Sequence, residues 1–135
     1  MSALTLSETD GGVVRVLVVD DNRDTALTLG ILLRSEGYIV RLANSGAEAL
    51  KLAEAFRPDA ALLDLHMPER SGFDVAIELQ RRYGIECPIL IAVSGHADPK
   101  NQGLAEISGF DHFVAKPYDP SALLELIAAL RIKTT

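Results

Sequence analysis

Short apolar runs rich in β-branched residues constrain the fold of this chain more than any other feature of its sequence. Val13–Val19, Ala60–Leu63 and Ile89–Val93 are almost continuously apolar, which is typical of parallel strands buried on both faces of a sheet. Tyr38–Ala43 and Asp111–Ala115 are shorter and more mixed in polarity. We therefore expect five strands, with these last two nearer the edges of the sheet.

Segments with helical character alternate with the strands. Ser45 followed by Glu48 predicts a capping box at the start of one helix, and Asp119 before Pro120 predicts the start of another. The fourth helix is expected to be the weakest, because a glycine inside a helix, here Gly103, costs roughly 1 kcal/mol relative to alanine. The predicted helical segments are 23–37, 45–56, 71–84, 96–109 and 119–131.

A strand followed by a helix, five times over, predicts an α/β fold in which helices cover both faces of a parallel sheet. Right-handed crossovers make this a doubly wound (βα)5 sandwich with five strands. With 135 residues, the chain is expected to form one domain. The polar residues 1–12, which end in Gly11-Gly12, predict a flexible N-terminal tail or linker, and residues 132–135 a short C-terminal tail.

Composition argues against several classes of function. The net charge of −6 argues against direct binding of nucleic acid, which requires a basic surface. No apolar run approaches the roughly 18–20 residues of a membrane span, and the N-terminus lacks the pattern of a signal peptide. Cys87 is the single cysteine, so neither an internal disulfide nor a Cys/His zinc site is expected. We expect a cytoplasmic protein.

Polar residues stand where the predicted strands end. Asp20 and Asp21 follow the first strand, and Asp64, Ser94 and Lys116 end the third, fourth and fifth. Ligands of such sheets bind beyond the carboxyl ends of the strands, where the strand order reverses. Each residue alone is equally well explained as a helix cap, a strand end or a solvated lysine. All five together favour a single site.

The residue types at this edge indicate phosphoryl chemistry. Three clustered carboxylates repel one another unless a cation joins them, and oxygen-only ligands suit Mg²⁺. A magnesium ion, a lysine ammonium and a hydroxyl are the groups that stabilise a transferring phosphoryl group. Asp64 is the central carboxylate and therefore the candidate acceptor, since aspartyl phosphate is an established covalent intermediate.

Motifs of competing sites are absent, with one rival left open. Neither a phosphate-binding loop nor a dinucleotide-binding motif follows the first strand, and there is no GxSxG sequence. A phosphohydrolase with an aspartate nucleophile on a similar sheet stays an alternative. Such enzymes have a second acid two residues after the nucleophile, and here that position is His66. This weakens the alternative without excluding it.

Four motifs together, "VVDDN", "LLDLHMP", "AVSG" and "VAKP", resemble the receiver domains of two-component response regulators. The resemblance covers about residues 13–131. It implies a flavodoxin-like fold and a signalling role, in which phosphate passes to the receiver from a phosphohistidine of a histidine kinase or histidine phosphotransfer protein. The family catalyses only its own phosphorylation and dephosphorylation, so it implies no dedicated enzyme. A degenerate receiver that acts as an interaction module is a further alternative. The presence of the complete set of site residues argues against it.

The resemblance assigns roles to the acidic residues. It implies that Asp64 is the phosphoacceptor. Asp21, Asp64 and the main-chain carbonyl of His66 would bind Mg²⁺ directly, and Asp20 would act through water.

The resemblance also implies a switch. Ser94 would bond a phosphoryl oxygen, Lys116 would pair with the phosphate, and the Lys116-Pro117 bond would be cis. Phe113 would rotate inward on phosphorylation, although from pattern alone ordinary core packing is the better explanation of this residue. The output face would be formed by 97–130, and the chain would be a monomer or a weak dimer through that face.

Two histidines occupy positions that line the mouth of the site in this family. His66 lies two residues after Asp64, and His96 two residues after Ser94. They are predicted to tune dephosphorylation or contact a partner, and the alternative is a pair of exposed loop residues. A metal held by the pair is not expected, because the sequence supplies no further ligands. "IAVSGHAD" and "GFDHFVAKPYDPSALLELI" resemble receivers attached to hybrid histidine kinases, so both a single-domain regulator and a hybrid receiver are open.

Overall fold

Five strands form one parallel sheet in the computed structural model, which describes residues 12–130. Their order across the sheet is β2-β1-β3-β4-β5, so the order reverses between β1 and β3, as in flavodoxin-like folds. This confirms the predicted parallel sheet. Residues 1–11, in the predicted N-terminal tail, and the predicted C-terminal tail over 132–135 lie outside the described residues. The strands are β1 (Arg15–Val19), β2 (Ile39–Ala43), β3 (Ala60–Asp64), β4 (Ile89–Ser94) and β5 (His112–Ala115).

Five helices cover both faces of the sheet, which confirms the doubly wound arrangement. Side chains of α1 and α5 share one buried apolar cluster with one face of the strands. Side chains of α2, α3 and α4 share a second cluster on the opposite face. The helices are α1 (Arg23–Ser35), α2 (Gly46–Phe56), α3 (Gly72–Tyr83), α4 (Pro99–Ile107) and α5 (Pro120–Ala129), and a 3₁₀ turn spans Gly84–Glu86. No helix within residues 12–130 is both long and apolar enough to cross a membrane.

The positions of the strands follow from their composition. Every residue of β3 and β4 is buried, because these strands lie inside the sheet with helices on both sides. The edge strands are β2 and β5, and both contain partly exposed residues. The sequence prediction for the edges is therefore confirmed.

One predicted helix cap differs in detail. The Ser45 hydroxyl accepts the backbone N–H of Glu48 at 3.1 Å, but the Glu48 carboxylate accepts the N–H of Asn44 at 2.7 Å. The capping box predicted here is thus only half formed, since the Glu48 carboxylate bonds the residue before the cap instead of the cap itself. The complete reciprocal pair joins Ser71 and Asp74 at the start of α3.

The weak fourth helix is shorter than the 96–109 predicted. Its N-cap is Asp98, whose carboxylate accepts the N–H of Asn101 at 2.8 Å. Residues 96–98 stay outside the helix, because Pro99 occupies its first position and keeps the preceding Asp98 extended. Ala105 is the buried residue of α4, so little apolar surface holds this helix on the sheet.

Candidate functional site

Three carboxylates meet where the strand order reverses. Val19 of β1 lies opposite Leu63 of β3, so the residues that follow them, Asp20 and Asp64, emerge side by side. Oxygen atoms of Asp20, Asp21 and Asp64 all lie within 4.8 Å of one another. Asp20 and Asp64 are buried, whereas Asp21 is exposed. The predicted convergence of these acids therefore holds in three dimensions.

Lys116 brings a positive charge to the same point from the end of β5. Its Nζ lies 3.0 Å from Oδ2 of Asp20 and 3.8 Å from Oδ2 of Asp64. The backbone N–H of Lys116 donates to the carbonyl of Ser94 at 2.8 Å, which anchors it to the end of β4. The Lys116-Pro117 bond is cis, as the family resemblance implied.

The electrostatics of this cluster raise the pKa of Asp64 from 3.8 to about 6. Burial, which disfavours the charged form, is the largest cause, and the neighbouring Asp20 charge adds to it. Lys116 and the N–H of His66, which donates to Asp64 at 3.2 Å, act in the opposite direction. Burial acts to lower the pKa of Lys116, but its hydrogen bond to Asp20 and the nearby carboxylates outweigh burial and raise it.

The donor set fits a hard divalent cation. Asp20, Asp21 and Asp64 offer carboxylate oxygens, which Mg²⁺ and Ca²⁺ prefer. Within residues 12–130, the cluster of three carboxylates is paired with one ammonium, that of Lys116 on Asp20 and Asp64, so negative charge is in excess. Two hydrogen bonds hold Asp20 in place. Oδ1 of Asp20 accepts the backbone N–H of Asn22 at 2.9 Å, and the carbonyl of Asp20 accepts the side-chain amide of Asn44 at 3.0 Å. A divalent ion would offset the repulsion that burial strengthens.

Ser94 lies at the same edge of the sheet, at the end of β4, and is fully buried. Its hydroxyl accepts the backbone N–H of His96 at 2.9 Å and donates to the carbonyl oxygen of His96 at 3.3 Å. The hydroxyl is therefore engaged with its own loop in this structure.

Phe113 occupies the middle of β5 and is half-buried against the cluster shared by α2, α3 and α4. It borders a cavity of about 280 Å³ between α4 and β5. Space next to this ring means that its side chain has room to change position. The cavity is lined by Gln102, Gly103, Ala105, Glu106, Phe110, Asp111, His112 and Phe113.

The two loop histidines pack against each other. The ring centres of His66 and His96 are 4.7 Å apart, with an angle of 71° between the ring planes. Phe73 of α3 lies edge-on to His66 at 6.4 Å. Both histidines are exposed. Sequence reasoning placed each at the mouth of the site but missed their contact. The available signal was that each lies two residues beyond a site residue on neighbouring strands.

Sequence reasoning also missed two residues that shape the loop after β3. A side chain at Gly72 would overlap the carbonyl oxygen of Asp64 and come within 2.9 Å of the Cα of Leu65. This close approach admits only glycine. Glu69 has a φ of +68°, and the N–H of Arg70 donates across it to the carbonyl of Pro68 at 2.7 Å. Such three-residue turns are rare and strained for residues other than glycine.

Known proteins are similar to this chain in sequence. The family model described as the response regulator receiver domain matches residues 16–128. Response regulator MprA of Mycolicibacterium vanbaalenii is 39% identical over 123 residues, which are 90% of this chain and 52% of MprA. The CAI-1 autoinducer sensor kinase/phosphatase CqsS of Vibrio cholerae is 40% identical over 118 residues, which are 85% of this chain and 17% of CqsS. The chain thus spans about half of one relative and a small part of the other.

A solved structure shows the same fold. A response regulator protein from Burkholderia pseudomallei, described with a phosphorylated aspartic acid, a calcium ion and citrate, superposes with a TM-score of 0.77. It is 31% identical, and the match covers 86% of this chain and 67% of that one. From the matched family model, the parallel sheet and the relatives, we conclude that this chain belongs to the response regulator receiver domains of two-component signalling.

Proposed function

We propose that this chain accepts a phosphoryl group on Asp64 in a reaction that depends on Mg²⁺. The donor is a phosphohistidine of a histidine kinase or histidine phosphotransfer protein. The observation that carries the proposal is a buried Asp64 with Asp20 and Asp21 within 4.8 Å and the Lys116 ammonium 3.8 Å away. The related Burkholderia protein, described with a phosphorylated aspartic acid and a calcium ion, supports both the acceptor and the divalent ion.

The chemistry assigns a task to each side chain. A carboxylate oxygen of Asp64 attacks phosphorus, the N–P bond of the donor breaks, and its electron pair returns to the imidazole. With a pKa of about 6, Asp64 is mostly ionised at neutral pH and is a competent nucleophile. Asp20, Asp21, Asp64 and the main-chain carbonyl of His66 would hold Mg²⁺, which supplies positive charge to the phosphoryl oxygens. Lys116 would pair with the phosphate.

Phosphorylation would then switch the face formed by 97–130. The Ser94 hydroxyl would leave the backbone of His96 and bond a phosphoryl oxygen. Phe113 would turn inward, next to a cavity of about 280 Å³ that leaves its ring room to move. Because Phe113 has no hydroxyl, no output contact can use a hydroxyl at this position. The loose packing of α4, with Ala105 as its buried residue, supports a helix that moves at low cost.

We propose a partner and a cellular location on the same grounds. The partner is a kinase or phosphotransfer protein rather than nucleic acid, and the chain works in the cytoplasm as a monomer or a weak dimer through 97–130. Its role is that of a signalling switch, without turnover of an external substrate. Both a stand-alone regulator and a receiver within a hybrid kinase fit, since the relatives include MprA and the sensor kinase CqsS.

The rival phosphohydrolase is less well supported. It needs a general acid two residues after the nucleophile, and that position holds His66, whose ring packs on His96. A silent interaction module has no use for the buried acid pair, which costs stability without a ligand.

Intact-mass spectrometry after incubation with acetyl phosphate tests the proposal. We expect one phosphoryl adduct that requires Mg²⁺, disappears in Asp64→Ala and persists in Asp24→Asn, a matched change of an exposed acid in α1. Absence of both an adduct and magnesium binding would overturn the proposal in favour of an interaction module. Sustained release of inorganic phosphate from varied phosphate esters would overturn it in favour of a phosphohydrolase.

A further inference from the structure

We propose that His66 and His96 form a second metal site, which takes a borderline-soft divalent ion such as Zn²⁺. The site is separate from the carboxylate cluster and draws its ligands from the loops that follow β3 and β4. Binding needs only the two imidazoles, whereas the regulatory consequence described below rests on the proposed function of Asp64.

The spacing of the rings matches that of two imidazoles on one ion. A Zn–N bond of about 2.0–2.1 Å places the ion about 3.2 Å from each ring centre. Two such ligands at roughly 90–110° hold their ring centres about 4.5–5.2 Å apart. The observed separation of 4.7 Å lies inside this range. Because the rings now meet edge to face, both have to turn about their side-chain bonds before a nitrogen of each faces the same ion.

Hydrogen bonds hold the main chain of both histidines in place before any ion arrives. The N–H of His66 donates to Asp64 at 3.2 Å, and the N–H of His96 donates to Ser94 at 2.9 Å. The carbonyl of His96 accepts the side-chain amide of Asn101 at 2.9 Å. Phe73 limits the His66 ring from the side. With the main chain fixed, binding has only the rotation of the two side chains left to restrict.

Ligand chemistry separates this site from the carboxylate cluster. Imidazole nitrogen prefers zinc, copper or nickel, whereas all-oxygen sites prefer magnesium or calcium. Within residues 12–130, no further His, Cys, Asp or Glu joins the histidine pair to make a three-ligand group. Both rings are exposed, so water completes the coordination, and the ion binds reversibly rather than as a structural element.

The position of the pair gives the ion a regulatory consequence. An ion held by His66 and His96 would tie together the two loops that flank Asp64. The backbone of His96 bonds the Ser94 hydroxyl, which must leave it to reach a phosphoryl group. The bound ion is therefore expected to slow phosphoryl transfer to Asp64 by holding these loops in their present arrangement.

Calorimetric titration of the untagged chain with Zn²⁺ in excess Mg²⁺ tests the site. We expect one binding event, weakened about tenfold or more in His66→Gln and in His96→Gln, because even outer-shell changes cost metal sites that much. His112→Gln, which alters the remaining histidine, should bind as the wild type does. No binding by the wild type, or equal binding by all three variants, would overturn the proposal.

Two further variants keep this inference distinct from the proposed function. Asp64→Asn should retain Zn²⁺ binding, because the acceptor supplies no ligand; loss of binding there would place the ion at the carboxylates and refute the site. With acetyl phosphate as donor, Zn²⁺ should slow adduct formation in the wild type but not in His66→Gln. Equal inhibition of both would refute the regulatory role. A wild type that binds Zn²⁺ yet never takes phosphate would overturn the proposed function alone.

Discussion

Replacing Asp64 by Asn is expected to stabilise the folded protein in the absence of metal ions. Asp64 is buried beside Asp20, and burial is the main reason that its pKa rises from 3.8 to about 6. At neutral pH the folded state therefore holds a carboxylate that the unfolded chain hydrates better. An Asn side chain has nearly the same shape and no charge, so the cost of the buried charge disappears.

The magnitude follows from the pKa. A difference of one pKa unit corresponds to about 1.36 kcal/mol, so a rise from 3.8 to about 6 corresponds to about 3 kcal/mol at most. The site opens at the edge of the sheet, where water screens its charges. We therefore expect a gain of about 1–2 kcal/mol in the free energy of unfolding at pH 7.

The pH dependence has a definite sign. Below about pH 4, Asp64 is protonated in both states and its charge costs nothing. Between about pH 4 and pH 6 the unfolded chain loses this proton before the folded protein does, so the wild type loses stability relative to Asp64→Asn. Above that window the difference is constant.

Urea unfolding of both proteins in EDTA across this pH range measures the difference. Asp24→Asn, at an exposed acid in the first turn of α1, is the matched control and should show no such rise. A difference between wild type and Asp64→Asn that stays flat with pH would refute the claim that burial strains this carboxylate. Added Mg²⁺ should shrink the gap at pH 7, since a bound ion stabilises only the protein that holds it.

Three further changes test other parts of the site. Gly72→Ala should lower the free energy of unfolding by about 1–3 kcal/mol, because its new methyl group meets backbone atoms. Gly103→Ala, in open space within α4, should raise it by up to about 1 kcal/mol. Urea unfolding that gave both changes the same sign would contradict this. Lys116→Ala should still accept phosphate but lose the changes in amide NMR signals of the output face, which Lys51→Ala should keep. If Lys116→Ala shows the normal changes in amide NMR signals, Lys116 has no role in the switch. Glu69→Gly should stabilise the protein by about 1 kcal/mol, because glycine adopts a φ of +68° without strain, and an unchanged unfolding midpoint would argue against strain there.

Local pattern predicted the architecture well. The β-branched runs and helix caps depend on neighbours within a few residues, so they are visible in the sequence before any tertiary contact is known. The convergence of Asp20, Asp64 and Lys116 could also be predicted, because parallel strands bring their carboxyl ends to one edge. The predicted start of α4 is too early, although Asp98 followed by Pro99 is a local signal for a helix start.

The sequence by itself therefore determined the doubly wound sheet, the strands at its edges and the chemical character of the site, because periodicity and residue type are local properties. Only the tertiary structure decided the pKa of Asp64, the need for glycine at Gly72, and the contact between His66 and His96. Each depends on atoms that are not neighbours in the chain and meet through the register of β3 against β1 and β4 or the packing of α3. Desolvation, steric overlap and ring contact are properties of the assembled edge of the sheet, and no stretch of sequence contains them.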